Sequence, residues 1–217
     1  MRLTPITCAL ASLLLAIAGA SAKDDAADSA VHRLQSEWER IKFSIPEGPE
    51  QTTAMNTLGR DADATAKTFA DQVGVQIWDG IITSERAGLA SMFSALSLAK
   101  RARDILQRAD KMDASALDAG APASLGVLYY RVPGFPIGFG DKSKARRLLE
   151  EATRAAPNGL DAWYFYGDFL MSQGENAQAT AAFKHALAIP KNAARPLWDT
   201  NRRLVIEEDL EKIKSKS

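Results

Sequence analysis

The chain has 217 residues, 27 of them basic and 27 acidic, and 46% are hydrophobic. That length and apolar content suit one globular domain with its own core and exclude a wholly disordered chain. The even charge balance excludes the broad basic face with which a nucleic-acid binder offsets phosphate charge.

Met1-Arg2 gives a positive start, and Cys8 to Ala20 is an uncharged run rich in Leu and Ala. Ala20-Ser21-Ala22 then places small residues where a signal peptidase inspects them, ahead of the polar Lys23-Asp24-Asp25. Residues 1–22 therefore read as a cleavable signal peptide, whose apolar run is too short for a stable bilayer anchor. Residues 23–217 read as one exported, periplasmic domain with no stable membrane span after cleavage. Cys8 is the only cysteine. Pro5-Ile6-Thr7 lacks the small residue that a lipid-modified cysteine needs before it, so Cys8 is an apolar leader residue. The mature domain then has no disulfide, thiolate ligand or cysteine nucleophile.

Past the leader the apolar residues recur at helical spacing and strand-like alternation is missing. Val31, Leu34, Trp38 and Ile41 form one stripe of a helix that opens near Asp28-Ser29 and stops before Ile45-Pro46-Glu47-Gly48-Pro49. A second helix is expected over 51–73, with Met55, Leu58, Ala62, Phe69 and Val73 inward and Gly59 weakening its middle.

An internal repeat follows. Trp163, Tyr166-Gly167 and Leu170, a turn at Gly174, then Ala179, Phe183, Ala186 and Pro190 reproduce the tetratricopeptide pattern, with the proline one place early. Leu125-Gly126 and Tyr129, then Ala145, Leu149, Ala152 and Pro157, form an earlier copy stretched at its turn by Val132-Pro133-Gly134-Phe135-Pro136-Ile137-Gly138-Phe139-Gly140. Gly80 with Ala102, Leu106 and Ala109 forms a weaker one. The small residues let paired helices approach, and the large ones fill the space between pairs, so such units stack. The fold class expected is all-α, a tetratricopeptide-like α-solenoid of stacked hairpins at about 28–73, 75–112, 120–156 and 160–189. A capping helix at about 196–214 would present Leu197, Leu204, Ile206, Leu210 and Ile213.

Three segments carry a family likeness: Ile77-Trp78-Asp79-Gly80-Ile81-Ile82 with Ala87-Gly88; Ser124 to Tyr130 running into Val132 to Asp141; and Pro157 to Asp161 with Tyr164 to Leu170. In these the chain resembles bacterial exported tetratricopeptide-like proteins related to the T-component of TRAP transporters. The resemblance implies an all-helical periplasmic accessory fold and points to a periplasmic solute-binding protein as one partner.

The stretched turn is the first candidate for function. Its glycines followed by Lys142-Ser143 do not have the spacing of a phosphate loop, and a helix precedes them where a strand should. Phe135, Ile137 and Phe139 are expected to tuck against the stack, with Asp141 capping the next helix; the alternative is a binding lip. Tyr164 and Asp168, four apart, occupy the side of the last hairpin that lines the groove, and Tyr130 and Arg131 correspond to them in the preceding repeat. An aromatic and charged surface of this kind suits a peptide or partner helix; the alternative is a plain solvated face. The candidate binding residues are thus Tyr130, Arg131, Phe135, Phe139, Tyr164 and Asp168.

No catalytic set is expected. His32 and His185 fall on the first and last hairpins, and no Gly-x-Ser-x-Gly or calcium-loop spacing occurs. Cofactors and metals are not expected either. The functional expectation is a periplasmic interaction module holding a peptide or partner protein in its groove. The alternative is an accessory component of a solute transport system that binds or passes a small molecule.

Overall fold

The computed structural model describes residues 7–215, with side chains from Ala22 onward. Met1 and Arg2 of the expected leader lie outside the described residues. The described chain is helical: α1 (Thr7–Ser44), α2 (Pro49–Thr68), α3 (Val73–Leu89), α4 (Met92–Met112), α5 (Ala116–Arg131), α6 (Lys142–Ala155), α7 (Leu160–Ser172), α8 (Asn176–Ala188) and α9 (Pro196–Lys214). No described helix is long and apolar enough to cross a membrane.

Successive helices pack as antiparallel pairs, and the pairs stack into two rows. α1, α3, α5 and α7 touch in sequence as an inner row, with α2, α4, α6 and α8 behind them. α9 packs on α7 and α8 and also reaches α1, so the two ends of the array meet.

The repeated small residues explain the close pairing. A Cβ on Gly80 would lie 2.6 Å from Leu106 Cγ; on Gly126, 2.5 Å from Leu149 Cγ; on Gly167, 2.5 Å from Phe183 Cε1. Each of these inner-row helices thus offers a glycine notch into which its partner drives one large side chain. Ala102, Ala109, Ala145, Ala152, Ala179 and Ala186 have no exposed surface, which lets the helix backbones close on one another.

Val31, Leu34, Trp38 and Ile41 are buried together with Met55, Leu58 and Ala62. α2 ends at Thr68, short of the expected Val73, and Phe69 and Val73 are only partly buried. Gly59 has a positive use: it leaves room for the Arg86 side chain, which donates to Asn56 Oδ1 at 3.0 Å. Gly174, at φ +79°, makes the left-handed turn between α7 and α8. Asp141 caps α6 by accepting from Lys144 N at 2.9 Å.

The inner face of α9 differs from the expected one. Ile206 and Ile213 are buried and Leu210 packs against the core as expected, but Leu197 and Leu204 are 39% and 50% exposed, and Trp198 and Asp209 are buried instead. The stripe that packs therefore mixes aromatic, aliphatic and charged residues, and the two exposed leucines lie off it.

Candidate functional site

α9 lies over the inner row and closes it around a cavity of about 110 Å³. Trp38 of α1, Trp78 of α3, Phe165 of α7 and Trp198 of α9 supply its aromatic lining. Trp38 and Trp78 meet edge to face, their centroids 5.6 Å apart. A left-handed turn at Leu117, Asp118 and Ala119 (φ 50°, 55° and 58°) brings the start of α5 to the wall. L-residues hold this conformation at a cost.

Two arginines occupy the site. The guanidinium of Arg195, just before α9, sits 5.4 Å from the Trp78 ring and 4.6 Å from the Trp198 ring, and its Nε donates to Glu39 Oε1 at 2.6 Å. That of Arg202 sits 4.2 Å from the Tyr164 ring and 5.0 Å from the Phe165 ring, and its Nε donates to Asp161 Oδ1 at 2.5 Å. Trp198 Nε1 donates to the other oxygen of Asp161 at 3.1 Å. A flat, weakly hydrated guanidinium stacks on an aromatic face and still bonds a carboxylate in its plane, and each stacking contributes about 0.5–2 kcal/mol. The inner row thus supplies the Trp78 ring and the Glu39 carboxylate to Arg195, and the Tyr164 and Phe165 rings and the Asp161 carboxylate to Arg202. The chain's own C-terminal segment fills both places and adds the Trp198 ring to the first. Trp38 Nε1 and Arg195 Nη2 are buried without a partner among the described residues.

Arg203 fixes the entry of α9 by donating to Leu187 O at 2.9 Å and Ile189 O at 2.8 Å, carbonyls left open at the end of α8. Asp199 holds Arg203 from within α9, at 2.8 Å from Nε.

The six residues expected at the groove separate into three groups. Tyr130, Arg131 and Asp168 come together: the Tyr130 hydroxyl donates to the Asp168 carboxylate, and Arg131 Nη2 donates to it at 2.6 Å. Burial, and then the Asp168 charge, push the Tyr130 hydroxyl well above the usual phenol range. Tyr164 is not presented to a ligand. Its position does face inward, but Arg202 covers the ring and the residue is 6% exposed. Phe135 and Phe139 diverge. Phe139 packs edge-on to Tyr129 (5.5 Å) beneath Arg103 (4.6 Å), whereas Phe135 and Ile137 are 94% and 69% exposed and do not tuck against the stack.

The residues that sequence reasoning passed over are Trp38, Trp78, Asp161, Arg195, Trp198 and Arg202. One signal was available: Trp198 and Arg202, four apart, share one face of α9, and Arg195 stands three residues before Trp198 at the helix entry. His185 is a prop: Nε2 lies 3.0 Å from Pro157 O and the ring 4.0 Å from that of Trp163. Among the described residues no three His, Cys, Asp or Glu side chains converge as a metal site.

Residues 137–197 match the family model described as tetratricopeptide repeat. The fold agrees: TTC0263, a thermophilic tetratricopeptide protein of Thermus thermophilus, aligns with 91% of this chain and 96% of its own at 15% identity and a TM-score of 0.55. A mutant of MamA covers 88% of this chain and 92% of its own at 18% identity and a TM-score of 0.40. MamA of AMB-1 covers 87% and 99% at 17% identity and a TM-score of 0.41; neither carries weight here. No curated protein matches the chain significantly. The tetratricopeptide-like architecture therefore stands, while the likeness to a transporter component rests on the sequence segments alone.

Proposed function

We propose that this chain is an exported protein-interaction scaffold whose inner row seats an arginine-bearing helical segment of a partner, in the place that α9 takes here. The observation that carries the reading is that Arg195 and Arg202 are both stacked on aromatic rings and both paired with carboxylates of the inner row. A groove that receives guanidinium groups in this way recognises a chemistry, and α9 displays that chemistry. Its placement outside the cytoplasm rests on the leader-like residues 1–22.

The reading predicts competition. A tether holds a segment at an effective concentration in the mM range, so a free peptide must meet a weakened α9. In the full chain carrying Arg195→Ala and Arg202→Ala, calorimetry with a peptide of residues 193–215 should show saturable binding that the unsubstituted chain lacks. Absence of binding to the substituted chain would remove the inner row as a partner site.

The unpartnered N–H groups of Trp38 and Arg195 favour a second reading, in which the cavity takes a small solute with an acceptor oxygen. Such a solute would raise the thermal midpoint of the unsubstituted chain, which no displacing peptide needs to do.

A further inference from the structure

Among the described residues, four of the eight large hydrophobic side chains that stand exposed gather at one edge of the array: Met92 (84%), Phe93 (95%), Phe135 (94%) and Ile137 (69%). The topology places them there. α4 runs from this edge to the far one and α5 returns, so the α3–α4 turn and the stretched α5–α6 turn emerge together. A contact ties the two. A Cβ on Gly138 would lie 3.4 Å from Leu96 Cδ1, and Phe93 precedes Leu96 by about one helical turn, roughly 4.5 Å.

The stretched turn is held in shape and does not hang loose. Gly140 N donates to Pro133 O (2.9 Å), Gly138 N to Gly134 O (3.1 Å) and Asp141 N to Tyr129 O (2.8 Å). A Cβ on Gly140 would fall 2.0 Å from Val132 O, and one on Gly138 would fall 2.4 Å from Pro133 O, so the chain closes on itself where only glycine fits. Phe139 anchors it from below. A loop so braced, with two apolar side chains turned to water, holds them for a contact.

Charge says what the contact is. Residues 90–103 and 129–147, the two turns and the helix ends that flank them, carry eight basic residues and one acidic, Asp141. Arg101, Arg103, Arg131 and Arg146 are paired with Asp63, Asp104, Asp168 and Glu175, and Lys144 donates to the Tyr129 hydroxyl. Lys142 and Arg147, in the first turns of α6, are exposed and have no ion pair among the described residues, whereas Lys100 lies two turns down α4 in a cleft with Asp63, Asp79 and Asp104. Asp141 is engaged as a helix cap. The acidic Asp110, Asp113 and Asp118 fall at the far end of the same helices. The edge therefore offers protruding aromatic and aliphatic tips rimmed by free cations.

We infer that this edge docks on an anionic lipid bilayer, with Phe93, Phe135 and Ile137 entering the interface and Lys142 and Arg147 meeting phosphate headgroups. Side chains standing proud from two separate tips suit a fluid receiving medium; a protein partner would bury such anchors in preformed pockets on a matched surface. Basic residues beside an anionic leaflet add attraction that salt screens. The surface is independent of the inner row, so α9 and its cavity stay accessible while the edge is engaged.

The test is co-sedimentation of the full chain with vesicles of phosphatidylglycerol and phosphatidylcholine, against vesicles of phosphatidylcholine alone. Binding is expected on the anionic vesicles and is expected to weaken as salt rises. Phe93→Ser and Phe135→Ser should each lower it by about tenfold, the burial of one phenylalanine. Both side chains are almost fully exposed, so folding is untouched, and an unchanged helical circular dichroism signal confirms it. Lys142→Glu with Arg147→Glu should abolish the preference for anionic lipid. Failure to bind anionic vesicles overturns the inference. So does equal binding by the chain carrying both serine substitutions, which would leave nonspecific charge attraction only. Saturable binding of an acidic amphipathic peptide at Phe93 and Phe135 with no vesicle binding would assign the edge to a protein partner instead.

Discussion

Replacing Gly167 by alanine asks whether the glycine notch holds the repeats together, because alanine is by itself the better helix former. In an open helix the change stabilises by about 0.8–1 kcal/mol. At this position the new methyl would lie 2.5 Å from Phe183 Cε1 and 2.6 Å from Cδ1. Phe183 has no exposed surface and is a stiff ring amid packed neighbours, so it has no free space to enter. Forcing an extra carbon into such a core costs about 1–3 kcal/mol. The net expectation is a loss of up to about 2 kcal/mol, read from urea unfolding followed by helical circular dichroism. Gly126→Ala and Gly80→Ala should also destabilise, but less, because Leu149 and Leu106 can turn their branched ends where a ring cannot. Gly88 supplies the control: a Cβ there meets nothing within 4 Å, so Gly88→Ala should stabilise by up to about 1 kcal/mol. A Gly167→Ala chain as stable as the original, or a Gly88→Ala chain equally damaged, would refute the notch as the source of the packing.

Asp79 is buried with Oδ1 unpartnered, and burial, then the nearby Asp63 charge, raise its carboxyl from the ordinary 3.8 to about 6. The folded chain therefore keeps a proton that the unfolded chain has released. This group's contribution to stability declines as pH climbs from about 4 to 6 and stays low above that. Asp79→Asn should flatten that decline and raise the unfolding free energy at pH 8 by about 1–2 kcal/mol, a figure lowered for screening by the neighbouring arginines. Asp168→Ala strips the acceptor from the half-buried Tyr130 hydroxyl and should cost about 1–3 kcal/mol. Arg131→Ala, at the more exposed end of the same cluster, should cost less than about 1 kcal/mol in the same urea titration. In the stretched turn, Phe139→Ala should cost about 1–3 kcal/mol through its contacts with Tyr129 and Arg103, while Phe135→Ser stays within about 0.5 kcal/mol.

Periodicity made the helices and their pairing legible, because a glycine or alanine opposite a large residue has one economical use, close packing. Gly126 with Leu149 and Gly167 with Phe183 could be matched across the turn by counting. The site was less legible. Tyr130, Arg131 and Asp168 were placed on one surface from repeat register, and the structure joins them by hydrogen bonds. Tyr164 was given the right direction and the wrong exposure, since nothing in its own repeat shows that Arg202 covers it. Phe135 and Phe139 have the same composition and opposite fates; only the closing hydrogen bonds of the turn decide which ring faces in. The cavity was hidden because its walls come from Trp38, Trp78, Phe165 and Trp198, residues far apart in the chain that meet when the ends of the array meet. In α9 the apolar spacing placed Ile206, Leu210 and Ile213 correctly, but Leu197 and Leu204 lie off the packing face, which carries Trp198, Arg202 and Asp209 instead.

Whether α9 behaves as a seated ligand of the inner row is settled most directly by breaking its tether. A protease site placed in the exposed segment 190–194 allows the folded chain to be cut, and native mass spectrometry then follows the released C-terminal fragment. The account predicts that the fragment stays bound and is exchanged by excess peptide of residues 193–215, but not by the same peptide with Arg195→Ala and Arg202→Ala. Immediate loss of the fragment, or exchange at the same rate by both peptides, would contradict it.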